Sequence, residues 1–217
     1  MSLGTFPRLH LIGPLDAVSL SEYVDIAVAV SARTPLAIHL RTPGIGAREM
    51  LTAARALRQR LSKGSILIVN DRVDVALLAK ADGVQLGEAS FTVNDARALS
   101  SNMLVGRSVH DEAGACGAGA DGADFVLAGH IFATPSKPDT PGRGIAWLSG
   151  IVSVTPIPVV ALGGITVERI AETLTTGAWG VALGRELLHA ASPATDAERA
   201  NQQIEKTVKE TTHVAAH

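Results

Sequence analysis

The chain has 217 residues, of which 47% are apolar and 18% charged, with a formal net charge of -2. That balance supplies a large aliphatic core, excludes a disordered or collagen-like chain, and leaves no basic field to hold a nucleic acid. The single cysteine, Cys116, excludes an internal disulfide and a cysteine-built zinc site.

The opening MSLGTFPRLH lacks the apolar stretch of a signal peptide, and no apolar run reaches the roughly 18 residues of a membrane span. The expectation is a cytoplasmic protein without a membrane or nucleic-acid partner. Eight short apolar runs then follow in chain order: RLHLIG, PLAIHLR, SILIVND, GVQLG, MLVGRS, DFVLAGH, PVVALGG and GVALG. Each is too continuously apolar for a half-solvated strand, which predicts strands covered on both faces in a parallel sheet. Helical spacing fills the gaps. Between the second and third runs Met50, Leu51, Ala54, Leu57 and Leu61 recur at three- and four-residue steps. GACGAGA after the fifth run reads as a helix in which Cys116 packs, and Pro156 with Pro158 ends the helix before the seventh run. DAERANQQIEKTVKETT reads as a final solvated helix. Eight strand–helix units predict an α/β chain folded as a (β/α)8 TIM barrel, a single domain over 1–217 with an ordered core from about 8 to 212. A doubly wound sheet competes, but LIGPLD after the first strand has no glycine-rich turn. Alanine-rich outer helices leave homo-oligomerisation open.

A barrel places its site at the carboxyl ends of the strands. The polar residues there are Arg41, Asn70, Asp71, Gln85, Arg107, Ser108, His110 and His130, all expected to face one mouth. LGGIT places Gly163 and Gly164 after the seventh strand, and LGREL places Gly184 and Arg185 after the eighth. Glycine backbone close to a helix start suits a phosphate monoester, and two such turns together favour phosphate over simple corner-turning. IFATPSKPDTPGRG is the longest irregular segment and reads as a lid carrying Thr134 and Lys137.

VNDRVDVALLAKADGVQLGEASF, GRSVH, GHIFATPSK and IPVVALGGIT, in this order, resemble the thiamine phosphate synthase superfamily from about Leu9 to Leu187. Synthases couple an aminopyrimidine diphosphate to a thiazole phosphate with Mg²⁺, and typically show QLREK after strand two and a second aspartate after strand four. Here HLRTP keeps Arg41 but sets His39 in place of the glutamine and Pro43 in place of the lysine. Asp71 matches the first magnesium aspartate, and Ser90 stands at the second, with Glu88 nearby. GRSVH and GHIF instead resemble the thiazole tautomerase branch, which implies His130 as acid/base catalyst, with no metal and no cofactor.

The implied reaction converts a carboxythiazole-ylidene ethyl phosphate to its aromatic tautomer. An imidazole with an ordinary pKa near 6.5 serves both proton transfers. Arg41 would pair the carboxylate; Gly163, Gly164, Gly184 and Arg185 the phosphate; Asn70, Gln85, Ser108, Thr134 and Lys137 the rest of the small-molecule ligand. Barrel-rim structural bonds explain Asn70, Gln85 and Ser108 equally well, and His110 is the rival base. The alternatives are a true Mg²⁺-dependent synthase and a non-catalytic thiazole phosphate binder.

Overall fold

In the computed structural model, residues 6–14 and 17–215 are described, so MSLGT and part of the LIGPLD turn lie outside the described residues. Eight parallel strands close in sequence order: β1 (Leu9–Pro14), β2 (Ala37–Arg41), β3 (Ile66–Asn70), β4 (Gly83–Leu86), β5 (Leu104–Val109), β6 (Phe125–Gly129), β7 (Val159–Leu162) and β8 (Gly180–Leu183). β8 pairs with β1, with Leu9 opposite Val181. Each of the eight apolar runs forms one of these strands.

The outer helices are α1 (Leu20–Ser31), α2 (Ala47–Arg60), α3 (Val73–Ala79), α4 (Val93–Leu99), α5 (Glu112–Ala120), α6 (Gly144–Val154), α7 (Ile170–Leu174), α8 (Arg185–Leu188) and α9 (Pro193–Ala215). Their starts are written in the sequence. Ser19 caps α1 through the Glu22 amide, Thr92 and Asp95 form a reciprocal box on α4, and Asp111 caps α5 through the Gly114 amide at 2.7 Å. At the opposite end of the barrel two aspartates repeat one device. The Asp82 carboxylate accepts the Leu67 amide at 2.8 Å, and the Asp124 carboxylate accepts the Val105 amide at 2.7 Å. Each ties the residue before one strand to the base of its neighbour, Asp82 with Arg58 alongside and Asp124 with Arg97.

Alternation along the strands separates two cores. Ile12, Ala37, Ile66, Ile68, Phe125, Leu127, Val160 and Ala182 fill the barrel, and Phe6 closes its lower end against Phe125 with ring centroids 4.9 Å apart. The intervening residues, such as Leu11, Ile38, Leu40 and Val69, face the helices. This inside set, carried upward by twos, turns Arg41, Asn70, Gln85 and Ser108 into the barrel.

Two expectations need correction. Cys116 lies on α5 but is exposed, because Ala115 and Ala118 are the residues that face the barrel wall. α9 is not simply solvated: Ala197, Ala200, Ile204 and Thr207 are buried, and the helix packs on α1, α7 and α8. Its charges hold only the outer face.

Candidate functional site

The mouth is built from four neighbouring strands on one side and the loop after β6 on the other. Gln85 is buried at 1% exposure and donates from Nε2 to Ser108 Oγ at 3.1 Å. The two thus occupy each other, as a rim structural bond does. Gly106 makes room for this pair, since a Cβ there would meet Gln85 Oε1 at 2.2 Å and Phe125 at 2.3 Å. Asn70 is also buried, and its Oδ1 has no partner. Arg41, at the tip of β2, is exposed. Arg107 does not face the mouth. It alternates to the outer side of β5, where it donates to the Gly87 and Phe91 carbonyls at 2.8 and 3.3 Å and braces the loop after β4.

That loop borders an open depression of about 560 Å³ lined by Asp71, Gly87, Glu88, Ala89, Ser90 and Phe91. Asp71 holds a left-handed backbone (φ 64°), which turns its carboxylate back over the loop. Its Oδ1 accepts the Gly87 amide at 3.1 Å and the Ser90 hydroxyl. One oxygen of the Asp71 carboxylate, Oδ1, is thus engaged by two donors of the protein, and the second acid is a hydroxyl. Glu88 lies toward His110, 3.7 Å from its Nε2. No group of three or more His, Cys, Asp or Glu side chains gathers to hold a metal among the described residues. A magnesium ion is usually held by one or two carboxylates that share it with phosphate oxygens, and of the matched pair only Asp71 remains here, with one oxygen already bonded to the loop. Phe91, 55% exposed at the rim, was not singled out in the sequence; it stands as an ordinary apolar residue after GEAS, with no periodicity to mark it.

His130 begins the loop after β6 and is buried at 6% exposure. Its Nε2 lies 3.2 Å from the Thr140 carbonyl, an oxygen that only accepts, so Nε2 carries the hydrogen and Nδ1 is the bare nitrogen. Nδ1 is buried without a partner. The resting imidazole is therefore latched to the loop, and it is not among the residues that line the depression, which comes nearest through Glu88 and its His110 neighbour. Release of the Thr140 carbonyl would expose Nε2. The loop's base is pinned: Ile131 and Phe132 donate to Leu162 and Gly163 at 2.9 and 3.0 Å, and Arg143 and Gly144 donate back to His130 and Ile131 at 3.1 and 2.9 Å. Thr134 and Lys137 lie on the projecting part, tied by a Lys137 amide to Thr134 carbonyl bond of 2.9 Å. His110 donates from Nδ1 to the Gly129 carbonyl at 3.2 Å, which places the rival base just beneath His130.

The glycine turns answer to packing as well as to any anion. Gly163 (φ 102°) would drive a Cβ to within 2.3 Å of His130 Cβ, and Gly164 (φ 63°) to within 2.4 Å of the Ala133 carbonyl. A 3-10 turn over Val167–Arg169 precedes α7. Arg185, the first residue of α8 after Gly184, is partly buried with Nε lacking a partner, which leaves it a donor for an anion at that turn.

A closed (β/α)8 barrel whose inward polar side chains gather at the carboxyl ends of its strands is the architecture of a barrel enzyme. The sequence profile described as thiamine monophosphate synthase matches residues 16–187. The chain is 42% identical over 164 residues to the thiamine-phosphate synthase of Methanoculleus marisnigri, covering 74% of this chain and 78% of that one. It is 45% identical over 177 residues to the putative thiamine-phosphate synthase of Geobacter sulfurreducens, covering 80% of each. Among solved structures, thiamine phosphate pyrophosphorylase from Pyrococcus furiosus superposes with a TM-score of 0.82 at 31% identity, covering 95% of this chain and 99% of that one. The chain belongs to the thiamine monophosphate synthase family, a family of thiamine biosynthesis. No helix among the described residues is long and apolar enough to cross a membrane.

Proposed function

We propose that the protein is a thiazole tautomerase, converting a carboxythiazole-ylidene ethyl phosphate to its aromatic isomer. The observation that carries this reading is the His130 imidazole at the tip of β6, its Nε2 hydrogen given to the Thr140 carbonyl and its Nδ1 without a partner. Ligand entry that displaces the Thr140 carbonyl opens Nε2 to the substrate, and with the ring hydrogen moved to Nδ1 this one nitrogen takes the proton from the first carbon and delivers it to the second. One proton leaves the ring carbon that bears the carboxylate and one arrives at the exocyclic carbon, so atoms and charge balance without an outside reactant. Arg41 suits the carboxylate, because a planar guanidinium takes both oxygens and holds charge that develops at the adjacent carbon. Arg185 and the backbone of Gly163, Gly164 and Gly184 suit the phosphate, with Lys137 and Thr134 closing from the loop. Gln85 and Ser108 hold the rim through their mutual bond, and Asn70 lies at its ligand-facing edge.

The experiment is a rate comparison: the ylidene tautomer is followed to the aromatic product by proton NMR with and without the protein. Unaccelerated aromatisation overturns the reading.

The names of the relatives favour a second one, the synthase itself, and Asp71 and Arg41 are retained for it. Against it stand Pro43, which offers no ion to a diphosphate, and Ser90, a hydroxyl bonded to Asp71 where the second acid would stand. Pyrophosphate released from both half-substrates with Mg²⁺ would establish the synthase. A protein that binds the thiazole phosphate but drives neither reaction would be the non-catalytic binder.

A further inference from the structure

His10 and His39 sit on adjacent strands, both fully buried inside the barrel, and the reaction proposed above uses neither. Their hydrogen bonds run in one direction only. His10 Nε2 lies 3.1 Å from the Pro7 carbonyl, which can only accept, so Nε2 carries the hydrogen. Burial lowers the His10 pKa to about 4, against the coupling to Pro7 that favours its proton, so the ring is neutral and Nδ1 is bare at neutral pH. His39 Nε2, 2.8 Å from that nitrogen, must then be the donor. Burial first and the His10 ring second hold the His39 pKa well down, which leaves His39 Nδ1 bare too, and it is buried without a partner. Asn70 is the neighbouring side chain at His39; its influence on the ring comes third and raises the pKa, as an amide oxygen turned to an imidazole does, and that Oδ1 is likewise buried and unpartnered. Two acceptors facing each other is an arrangement that a half-turn of the carboxamide relieves, since amide oxygen and nitrogen have nearly the same shape.

We infer that Pro7, His10 and His39 form a positioning relay that fixes Asn70 with its amide nitrogen donating to His39 Nδ1 and its oxygen turned to the mouth. The tautomer is set at the closed lower end of the barrel and read out at the open end. Leu40 pairs with Val69, so Arg41 stands beside Asn70 on the next strand. A carboxamide oxygen there accepts from the guanidinium and turns its remaining N–H groups toward a bound anion. The relay holds for either enzyme; only the aim of Arg41 at a carboxylate rests on the tautomerase reading.

The test is the tautomer itself, read from two-bond ¹⁵N–¹H imidazole correlations of the full-length labelled protein at neutral pH. The expected result is a neutral Nε2–H form for both His10 and His39. An Nδ1–H or imidazolium form of His39 overturns the relay, because Asn70 would then face it with oxygen. Asn70→Asp provides a second measurement. A carboxylate has no hydrogen to give, so His39 must move its proton to Nδ1 or take a second one; an unchanged His39 pattern in the folded variant shows that the contact is absent. Should the variant not fold, the wild-type spectrum still decides. Failure of tautomerase turnover leaves these spectra unaffected, so the two readings fail separately.

Discussion

The two sides of the mouth differ in what their polar groups have left to give. On the β3–β4 side one oxygen of a carboxylate is held by a backbone amide and the Ser90 hydroxyl, beside a roomy depression. On the β6–β7 side an imidazole is packed against glycine, latched by one nitrogen and unpartnered at the other. Metal chemistry needs the first kind of group free, and proton transfer needs the second. The contrast ties the proposed isomerisation to the second side, while the family as a whole carries the name of the synthase.

Removing the imidazole is the strongest way to break that contrast. His130→Asn keeps a side chain that can bond Thr140 but cannot titrate, and the expected loss of aromatisation rate is about 10²–10⁴-fold, the usual yield of a positioned acid/base. Binding of the aromatic carboxythiazole ethyl phosphate, measured by calorimetry, should persist. A variant at the wild-type rate makes the ring structural and moves attention to His110.

Acid should act next most strongly, and from inside the barrel rather than at the mouth. The folded His10 pKa, about 4, lies below the ordinary 6.5, so between those values the unfolded chain binds a proton that the folded one refuses. Stability is therefore full above pH 6.5, falls as pH drops toward 4, and is flat below, with a loss on the order of 3 kcal/mol from this ring. His39 shifts in the same direction and adds to the slope. Urea denaturation across that interval checks it, and His10→Phe should flatten the curve; an unchanged slope would remove the buried pair as its source.

Gly163→Ala sharpens the β6–β7 side itself. The residue's φ of 102° disfavours any side chain, at a cost of roughly 1–3 kcal/mol, and the new methyl must displace His130. Thermal melting should fall by several degrees, and turnover should fall further than phosphate affinity. Loss of affinity alone would make the glycine an anion site and not a seat for the imidazole.

The barrel was legible because buried parallel strands write themselves as uninterrupted runs of Val, Ile and Leu, and each of the eight appeared in order. The glycine turns were legible too, although the reason for Gly163 was not: a glycine required by a neighbouring Cβ looks in sequence like one required by a ligand. The His10–His39 pair escaped because its members are 29 positions apart and join only through strand register. Arg107 was assigned to the mouth by its place at a strand end, whereas one step of alternation sends it outside. Cys116 and the inner face of α9 went astray for related reasons: in α5 every face is small enough to pack, and in α9 the buried Ala197, Ala200, Ile204 and Thr207 are thinly spread among charged and polar residues.

The smallest expected effect probes the satisfied carboxylate. Ser90→Asp replaces the hydroxyl that donates to Asp71 with a second negative charge at the same exposed turn. Repulsion between two solvent-facing carboxylates costs on the order of 1 kcal/mol or less without a counter-ion. A divalent ion should reverse the sign, because two acids converging at the depression can now share it. The expected result is a small drop in melting temperature that added Mg²⁺ restores in the variant, while the wild type, with Asp71 engaged by Ser90 and Gly87, shows no such response. Equal stabilisation of both proteins by Mg²⁺ would mean that the serine does not close the site, and that the two sides of the mouth differ less than their hydrogen bonds indicate.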